Sequence, residues 1–266
     1  HSRWYDLKTM SDSVALLLDR VAEVCPLPAT AQRVMVLTAS ERSTISEVAQ
    51  VISTDPALAA AVLRIANSAT YGASRTGELE VAILRMGLSE LHELSAAMSM
   101  LAAFRNPGEL SLQLHDACVL SGAVARRLAK ELGGVKASTA FTCGLLSEIG
   151  AMACLAVGGQ EYAKLFAAHR DDPVQRALQE AERFGASSFE IGKRFLQRNG
   201  LPEEVARAIG MDLGEAAGSA DVLGKYTVLS RHCPRILVAM SRGGTREAAL
   251  EKLDELLRAT AFAELD

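Results

Sequence analysis

Two adjacent polar residues interrupt an otherwise apolar stretch in the middle of the chain. Ser147 and Glu148 lie within GLLSEIGAMACLA, residues 144–156, where leucine, isoleucine and small apolar side chains predict a buried helix. The pair could be the remains of a metal site, because a carboxylate can ligate a metal ion. The pair could equally be a structural polar patch, in which Ser147 bonds the preceding turn and Glu148 meets an arginine or solvent.

The residues that a helical metal hydrolase would need are few and scattered. Such an enzyme collects histidines and carboxylates from several helices around its metal ions. The chain has five histidines, and no two of them share a motif: His1, His92, His115, His169 and His232. A nucleophile–base pair of Cys233 and His232 is disfavoured, because neighbours in sequence point apart on a helix. The sequence therefore predicts no catalytic residue, no metal site and no cofactor.

The composition argues against nucleic acid and membranes as partners. The chain of 266 residues has a formal net charge of −4 and a pI of about 5.8, whereas proteins that bind nucleic acid usually carry a basic face. No window reaches the ~18 uninterrupted apolar residues of a membrane span, and the N-terminal residues lack the apolar core of a signal peptide. The five cysteines form no CxxC pair, which favours buried thiols in a reducing cytoplasm.

Helix punctuation recurs along the whole chain and predicts an all-α fold. Thr44 and Glu47 have the spacing of a capping box, as do Ser187 and Glu190, and Asp55 precedes a proline in a first helical turn. Ala and Leu dominate the composition, and no stretch predicts a convincing strand. The clearest interior break, Asn106-Pro107-Gly108, divides the chain. The predicted segments are a tail (1–13), an N-terminal helical bundle (14–106), a second helical domain (107–235) and a C-terminal helix (236–266).

A second candidate site lies at a predicted helix exit, ANSATYG, residues 66–72. Asn67 and Gly72 can take the backbone geometry that ends a helix, and Tyr71 would wedge between the two halves of the chain. Three arginines stand around this exit in sequence: Arg64, Arg75 and Arg85. They could bind an anionic group of a partner or ligand, or they could be solvated charges.

Long motifs in both halves resemble the HDOD signalling family, relatives of the HD-domain phosphohydrolases. The matching stretches are LPATAQRVMVL (27–37), ISEVAQVISTDPALAAAVLRIANSATYG (45–72), VAILRMGLSELHEL (81–94), VARRLA (124–129), FTCGLLSEIG (141–150) and EIGKRFLQRNGLPEEVARAI (190–209). The order DP-x-L, helical core and AN-S-x-x-YG is the most specific of these features. The resemblance covers residues 15 to 235, and it implies an N-terminal helical bundle packed on a degenerate HD-like helical domain.

The resemblance also gives the Ser147–Glu148 pair a meaning. In HD-domain hydrolases the corresponding helix reads Gly-Leu-Leu-His-Asp-Ile-Gly, and that His-Asp pair ligates the metals. Ser147 and Glu148 stand in those two places, and Ser188 stands where a later histidine is often found. The remaining ligand positions fall near Ala117, at Gly210-Met211 and near Ser230, so every matched position is empty or weakened.

The function that the resemblance implies is a non-catalytic bacterial signal-transduction module. Such a module works as an adaptor in two-component or cyclic-dinucleotide signalling, with a signalling protein as its partner and a nucleotide second messenger as a further candidate ligand. Two alternatives remain open at this point: a nucleotide-binding sensor that does not cleave its ligand, and an atypical metal-dependent phosphodiesterase built on Glu148 and other carboxylates.

Overall fold

The computed structural model confirms the all-α prediction. It describes residues 10–40, 42–67, 74–106, 108–170 and 172–241, together with positions 245, 251 and 253. Within these ranges the chain forms fourteen helices and no strand. The chain divides into two compact units: a small unit of residues 27–103, and a large unit that joins residues 1–26 to residues 104–266.

The small unit contains five helices that pack around an aliphatic core. These helices are α2 (Ala29–Ala39), α3 (Ile45–Ser53), α4 (Pro56–Ala66), α5 (Leu79–Met86) and α6 (Leu88–Ala103). The predicted capping box of Thr44 and Glu47 is confirmed at the start of α3, and the Asp55 carboxylate caps α4 by accepting from the amides of Ala57 and Leu58. Helices α2 and α6 also meet through a hydrogen bond of 2.7 Å between Thr38 Oγ1 and His92 Nδ1.

The large unit contains the other nine described helices. They are α1 (Met10–Val24), α7 (Glu109–Leu132), α8 (Ala137–Leu145), α9 (Ile149–Ala168), α10 (Pro173–Phe184), α11 (Ser188–Arg198), α12 (Glu203–Gly210), α13 (Leu213–Gly218) and α14 (Val222–Ser241). The predicted 14–106 bundle includes α1, whereas in the structure α1 belongs to the large unit because it packs against α9, α10 and α11. The predicted boundary at residue 235 lies inside α14, and most of the 236–266 helix falls outside the described residues.

Glycines let the central helices of the large unit approach backbone to backbone. A Cβ placed on Gly144 in α8 would lie 2.5 Å from the backbone oxygen of Ser121 in α7. A Cβ placed on Gly150 in α9 would overlap the backbone oxygen of Ser188 and would lie 2.7 Å from the amide nitrogen of Gly192 in α11. These contacts fix α8 and α9 against their neighbours, and so they position the short turn that joins α8 to α9.

Helices α8 and α9 form the most apolar part of the large unit. The stretch Ala137–Ala168 is the one described stretch that is long and apolar enough to cross a membrane, with a mean hydropathy of 1.7. However, 78% of that apolar window is buried inside the protein. Core helices of folded domains have the same length and composition, so the stretch is weak evidence for a membrane span.

Candidate functional site

Ser147 and Glu148 lie in the tight turn between α8 and α9, where the prediction of one continuous buried helix is wrong. Helix α8 ends at Leu145 and α9 begins at Ile149, whose amide donates to the Leu146 carbonyl. Both polar side chains are only 4% exposed. Within the described part of the chain the Ser147 hydroxyl makes no hydrogen bond to the preceding turn, so that prediction is wrong as well.

The Glu148 carboxylate meets an arginine, as one of the sequence interpretations predicts. Arg176 comes from α10, and its Nη2 lies 3.9 Å from Glu148 Oε2. Its Nε lies 3.3 Å from Oε1 of Glu180, one turn further along the same helix. The Arg176 side chain is completely buried, and its guanidinium carbon stacks 4.4 Å from the ring centre of Phe166. A cation thus lies in the interior between two carboxylates.

Electrostatics keep this guanidinium charged. Burial opposes the charged form of Arg176, but the acidic groups around it, Glu148 foremost, outweigh that effect, and the pKa of Arg176 is raised above its ordinary value. The three guanidinium nitrogens make no hydrogen bond of good geometry within the described residues, although Nε is within ion-pair distance of Glu180. Charge and ring contact, more than directional hydrogen bonds, therefore hold Arg176 in place.

Glu180 ties three helices together at this point. Its Oε1 accepts a hydrogen bond of 2.8 Å from the Tyr162 hydroxyl in α9, and its Oε2 accepts one of 2.7 Å from the backbone amide of Ser188 in α11. Burial, reinforced by the charge of Glu180, raises the pKa of Tyr162 well above its ordinary value, so the tyrosine stays a neutral donor. Glu180 and Arg176 are the members of this cluster that sequence reasoning missed.

The vestigial positions named from the sequence are partly brought together by this cluster. Glu148 contacts Arg176 directly, and the backbone of Ser188 binds the other side of the cluster through Glu180. Cys118 in α7, next to the empty position at Ala117, lies close to the Ser147–Glu148 turn. Burial, with the neighbouring Glu148 charge, raises the pKa of Cys118 to about 12, so this thiol is an inert core group.

A second buried arginine occupies the region where the last metal ligands would stand. Arg231 in α14 is 2% exposed, and it donates hydrogen bonds of 2.8 Å to the Ile209 carbonyl and 3.1 Å to the Met211 carbonyl. Its guanidinium carbon lies 4.6 Å from the ring centre of Phe189. The neighbouring Ser230 hydroxyl is bonded to the carbonyl of Thr227 at 3.0 Å. Arg231 and Ser230 thus bind backbone carbonyls at the positions that the resemblance assigns to the last metal ligands.

The donor set does not fit a metal ion. Within the described residues, no group of three or more His, Cys, Asp or Glu side chains is placed to hold one. The two carboxylates that do face each other in the cluster, Glu148 and Glu180, already have a permanently charged guanidinium between them. A divalent cation added to this position would meet like charge in a medium of low dielectric constant.

The polarity of helix α10 is inverted: charged side chains lie on its buried face and large apolar side chains lie on its exposed face. Its buried face presents Arg176, Glu180 and Phe184, spaced four residues apart. Its exposed face presents Val174 and Leu178, which are 62% and 57% exposed. A hydrophobic pattern alone would turn Val174 and Leu178 inward. The Arg-x-x-x-Glu spacing of residues 176 and 180 is the signal that could have pointed to a buried ion pair, although most such pairs on helices are exposed.

The second candidate site lies between α4 and α5, and its residues 68–73 are outside the described part of the chain. Asn67 caps the end of α4, and its side-chain amide both donates to the Thr76 carbonyl at 2.8 Å and accepts from the Thr76 amide at 2.7 Å. Arg85 donates to the Ser74 carbonyl and hydroxyl at 2.6 and 3.1 Å. Arg64 and Arg75 are exposed, and Tyr71 lies outside the described residues. Asn67 and Arg85 therefore hold the backbone at Thr76 and Ser74 in place.

Comparison with known proteins identifies the family. A protein-family model described as the HDOD domain matches residues 24–212 of the sequence. A curated relative from Treponema pallidum (strain Nichols), an uncharacterised protein, is 24% identical over 207 residues, which is 77% of this chain. The chain spans 40% of the length of that relative.

Three solved structures share the fold. A protein from Shewanella amazonensis SB2B that bears the provisional name of phosphohydrolase is 25% identical, with a TM-score of 0.69 over 93% of this chain and 88% of its own. A Marinobacter aquaeolei VT8 protein, provisionally named as a signal transduction protein, is 22% identical with a TM-score of 0.59, and 95% of this chain covers 63% of it. A Geobacter sulfurreducens HDOD domain protein of unknown function is 18% identical with a TM-score of 0.62, over 95% of this chain and 90% of its own. The resemblance predicted from the sequence is confirmed: the chain belongs to the HDOD domain family.

Proposed function

We propose that this HDOD module acts in bacterial signal transduction by binding a signalling protein, and that it is not an enzyme. The observation that carries the proposal is the buried guanidinium of Arg176 between Glu148 and Glu180. A metal-dependent phosphodiesterase built on Glu148 would need that carboxylate free to coordinate metal. Here the carboxylate is paired with a guanidinium of the same chain.

The energetics of the cluster keep the Arg176 guanidinium in the interior. Removing one partner of a buried ion pair leaves an uncompensated charge in the core and costs about 3–5 kcal/mol. Displacement of Arg176 by a metal ion would therefore cost free energy of this order. The raised pKa of Arg176 also means that no ordinary change of pH removes its charge. The position of the HD metals is thus part of the folded core.

Helix α10 connects the buried cluster to the protein surface, so a change in the packing of the cluster can alter the surface. Arg176 and Glu180 fix one face of α10 to α9 and to α11, while Val174 and Leu178 on the opposite face are exposed. An input that shifts the packing of the cluster would move this apolar face, and a partner would detect the movement. The proposed mechanism is conformational, as expected for a signalling adaptor.

The test is metal content and turnover, measured on the same preparation. The protein is purified with manganese and iron present, its metals are counted by mass spectrometry, and hydrolysis of a cyclic dinucleotide and of bis-p-nitrophenyl phosphate is followed. We expect no stoichiometric metal and no turnover. Bound metal together with turnover that Glu148→Gln abolishes would overturn the proposal. Glu190→Gln, which changes a half-exposed carboxylate on α11, is the matched control.

A further inference from the structure

A cavity of about 430 Å³ lies between the beginning of α7 and the second half of α9. Its apolar wall is formed by side chains that include Leu110, Leu155 and Phe166. Its polar wall contains Gln113, Gln160 and Arg170. Pockets for small organic ligands typically have this size and this mixture of apolar surface with a few polar groups.

Three polar side chains of the cavity form a chain of hydrogen bonds that runs from an acidic residue through an amide to a basic residue. Glu109 at the exposed rim accepts a hydrogen bond of 2.8 Å from Gln113 Nε2. Gln113 Oε1 in turn accepts a hydrogen bond of 3.1 Å from Arg170 Nη2. The Gln113 amide is thereby held in one orientation between a carboxylate and a guanidinium. Among the described residues that line the cavity, Arg170 is the only cationic one and Glu109 is the only acidic one.

The backbone of α9 is broken beside this wall. Gly159 has φ +51 and ψ −129, a backbone conformation that residues with a side chain rarely adopt, and the helix is kinked there. A Cβ on Gly159 would meet nothing within 4 Å, so glycine is required by the backbone and not by crowding. The part of α9 that follows this kink contributes Gln160, Ala163 and Phe166 to the lining of the cavity.

We propose that this cavity binds a nucleoside 5′-monophosphate with a guanine base. One guanidinium, Arg170, provides for one phosphate group. The Glu109 carboxylate is an acceptor, which suits the two adjacent N–H donors on the Watson–Crick edge of guanine and not the mixed edge of adenine. The flat base would lie against Leu155 and Phe166. A cyclic dinucleotide brings two phosphates, whereas the described lining of this cavity supplies one cation.

This inference goes beyond the proposed function, because it identifies a site where a signalling ligand would bind. It does not depend on the Arg176 cluster being unable to hold a metal. The test uses the full chain and isothermal titration calorimetry with guanosine 5′-monophosphate. We expect saturable binding of one nucleotide per chain and a higher melting temperature in its presence. Adenosine 5′-monophosphate, guanosine, cyclic di-GMP and inorganic phosphate should each bind more weakly. No saturable binding of guanosine 5′-monophosphate would overturn the inference, and equal affinity for the adenine nucleotide would overturn the role of Glu109.

Substitutions locate the site. Arg170→Gln should weaken binding by about tenfold or more, because it removes a charge-assisted contact to phosphate. Arg183→Gln, which changes an exposed arginine of α10 outside the cavity, should leave affinity unchanged. Ala163→Met, which fills the cavity and keeps every charge, should abolish binding while the circular dichroism spectrum stays that of the parent. Unaltered affinity in both Arg170→Gln and Ala163→Met would place the nucleotide elsewhere and overturn the inference.

Discussion

Helices α10 and α11 each carry a glutamate and an arginine four residues apart, and the two pairs have opposite surroundings. In α11, Arg194 Nε lies 2.6 Å from Glu190 Oε1, and the two side chains are 36% and 38% exposed. In α10, Arg176 and Glu180 are completely buried, and their closest atoms are 3.3 Å apart. The shorter contact is therefore in the pair that water reaches.

The difference shows that environment, more than distance, sets what an ion pair does. Water screens the Arg194–Glu190 pair, so forming it changes the free energy of unfolding by little. The Arg176–Glu180 pair lost its hydration on folding, and the Coulomb attraction must compensate for that loss. Four experiments test this contrast, and they are ordered by the size of the expected effect.

The largest effect is expected from Arg176→Met. The substitution keeps an apolar stem against Phe166 but leaves Glu148 and Glu180 buried without their cation, and it should lower the free energy of unfolding by about 3–5 kcal/mol. Urea denaturation followed by circular dichroism measures it. The control is Arg194→Met in α11, expected to cost about 1 kcal/mol or less. Equal losses in the two variants would contradict the contrast between the helices.

Tyr162→Phe should have the next largest effect. It removes the hydroxyl that donates to the Glu180 carboxylate, and hydrogen bonds to charged groups contribute about 1.5–3 kcal/mol. Tyr226→Phe is the matched control, because the Tyr226 hydroxyl donates to the neutral carbonyl of Gly133 at 2.9 Å. The loss in urea denaturation should be larger for Tyr162→Phe, and the reverse order would mean that Glu180 does not depend on this donor.

Salt should separate the two pairs further. The stability difference between the parent and Arg194→Met should shrink toward zero as sodium chloride rises to about 1 M, where screening acts over about 3 Å. The difference between the parent and Arg176→Met should stay nearly constant, because ions do not reach a buried pair. Parallel salt titrations of urea midpoints measure both. A buried pair that weakened with salt as the exposed pair does would show that water enters the cluster.

The smallest effect is expected from Leu178→Ala on the exposed face of α10. The side chain is 57% exposed, so truncation should change the free energy of unfolding by no more than about 0.5 kcal/mol. Leu146→Ala, at a leucine that is completely buried beside the Ser147–Glu148 turn, should cost about 2–5 kcal/mol. Similar losses in urea denaturation would mean that the polarity of α10 is not inverted.

Much of the fold follows from local sequence signals. The capping box at Thr44 and Glu47 and the cap at Asp55 are confirmed, because a cap depends on residues within one turn of each other. The box predicted at Ser187 and Glu190 is half present: the Ser187 hydroxyl accepts from the Glu190 amide, but the Glu190 carboxylate binds Arg194. The choice between those two partners depends on side chains that no local pattern specifies.

The candidate site was harder to predict because its members are far apart in sequence. The motif around Ser147 and Glu148 indicated where the metals of an HD hydrolase would lie. Nothing in that motif showed that Arg176 would enter the same place, since an arginine in a charged helix usually faces water. The breaking of the helix at Ser147 was missed for a related reason: the backbone contact of Gly150 with Ser188 fixes where α9 begins, and that contact is tertiary.

Phe166 belongs to two places at once. Its ring forms part of the wall of the cavity between α7 and α9, and it also lies 4.4 Å from the guanidinium carbon of Arg176. A smaller side chain at position 166 would enlarge the cavity and expose the arginine in the same step. Residues 166 and 176 are therefore expected to vary together in evolution. Relatives that lack an arginine at position 176 should also lack an aromatic residue at position 166 more often.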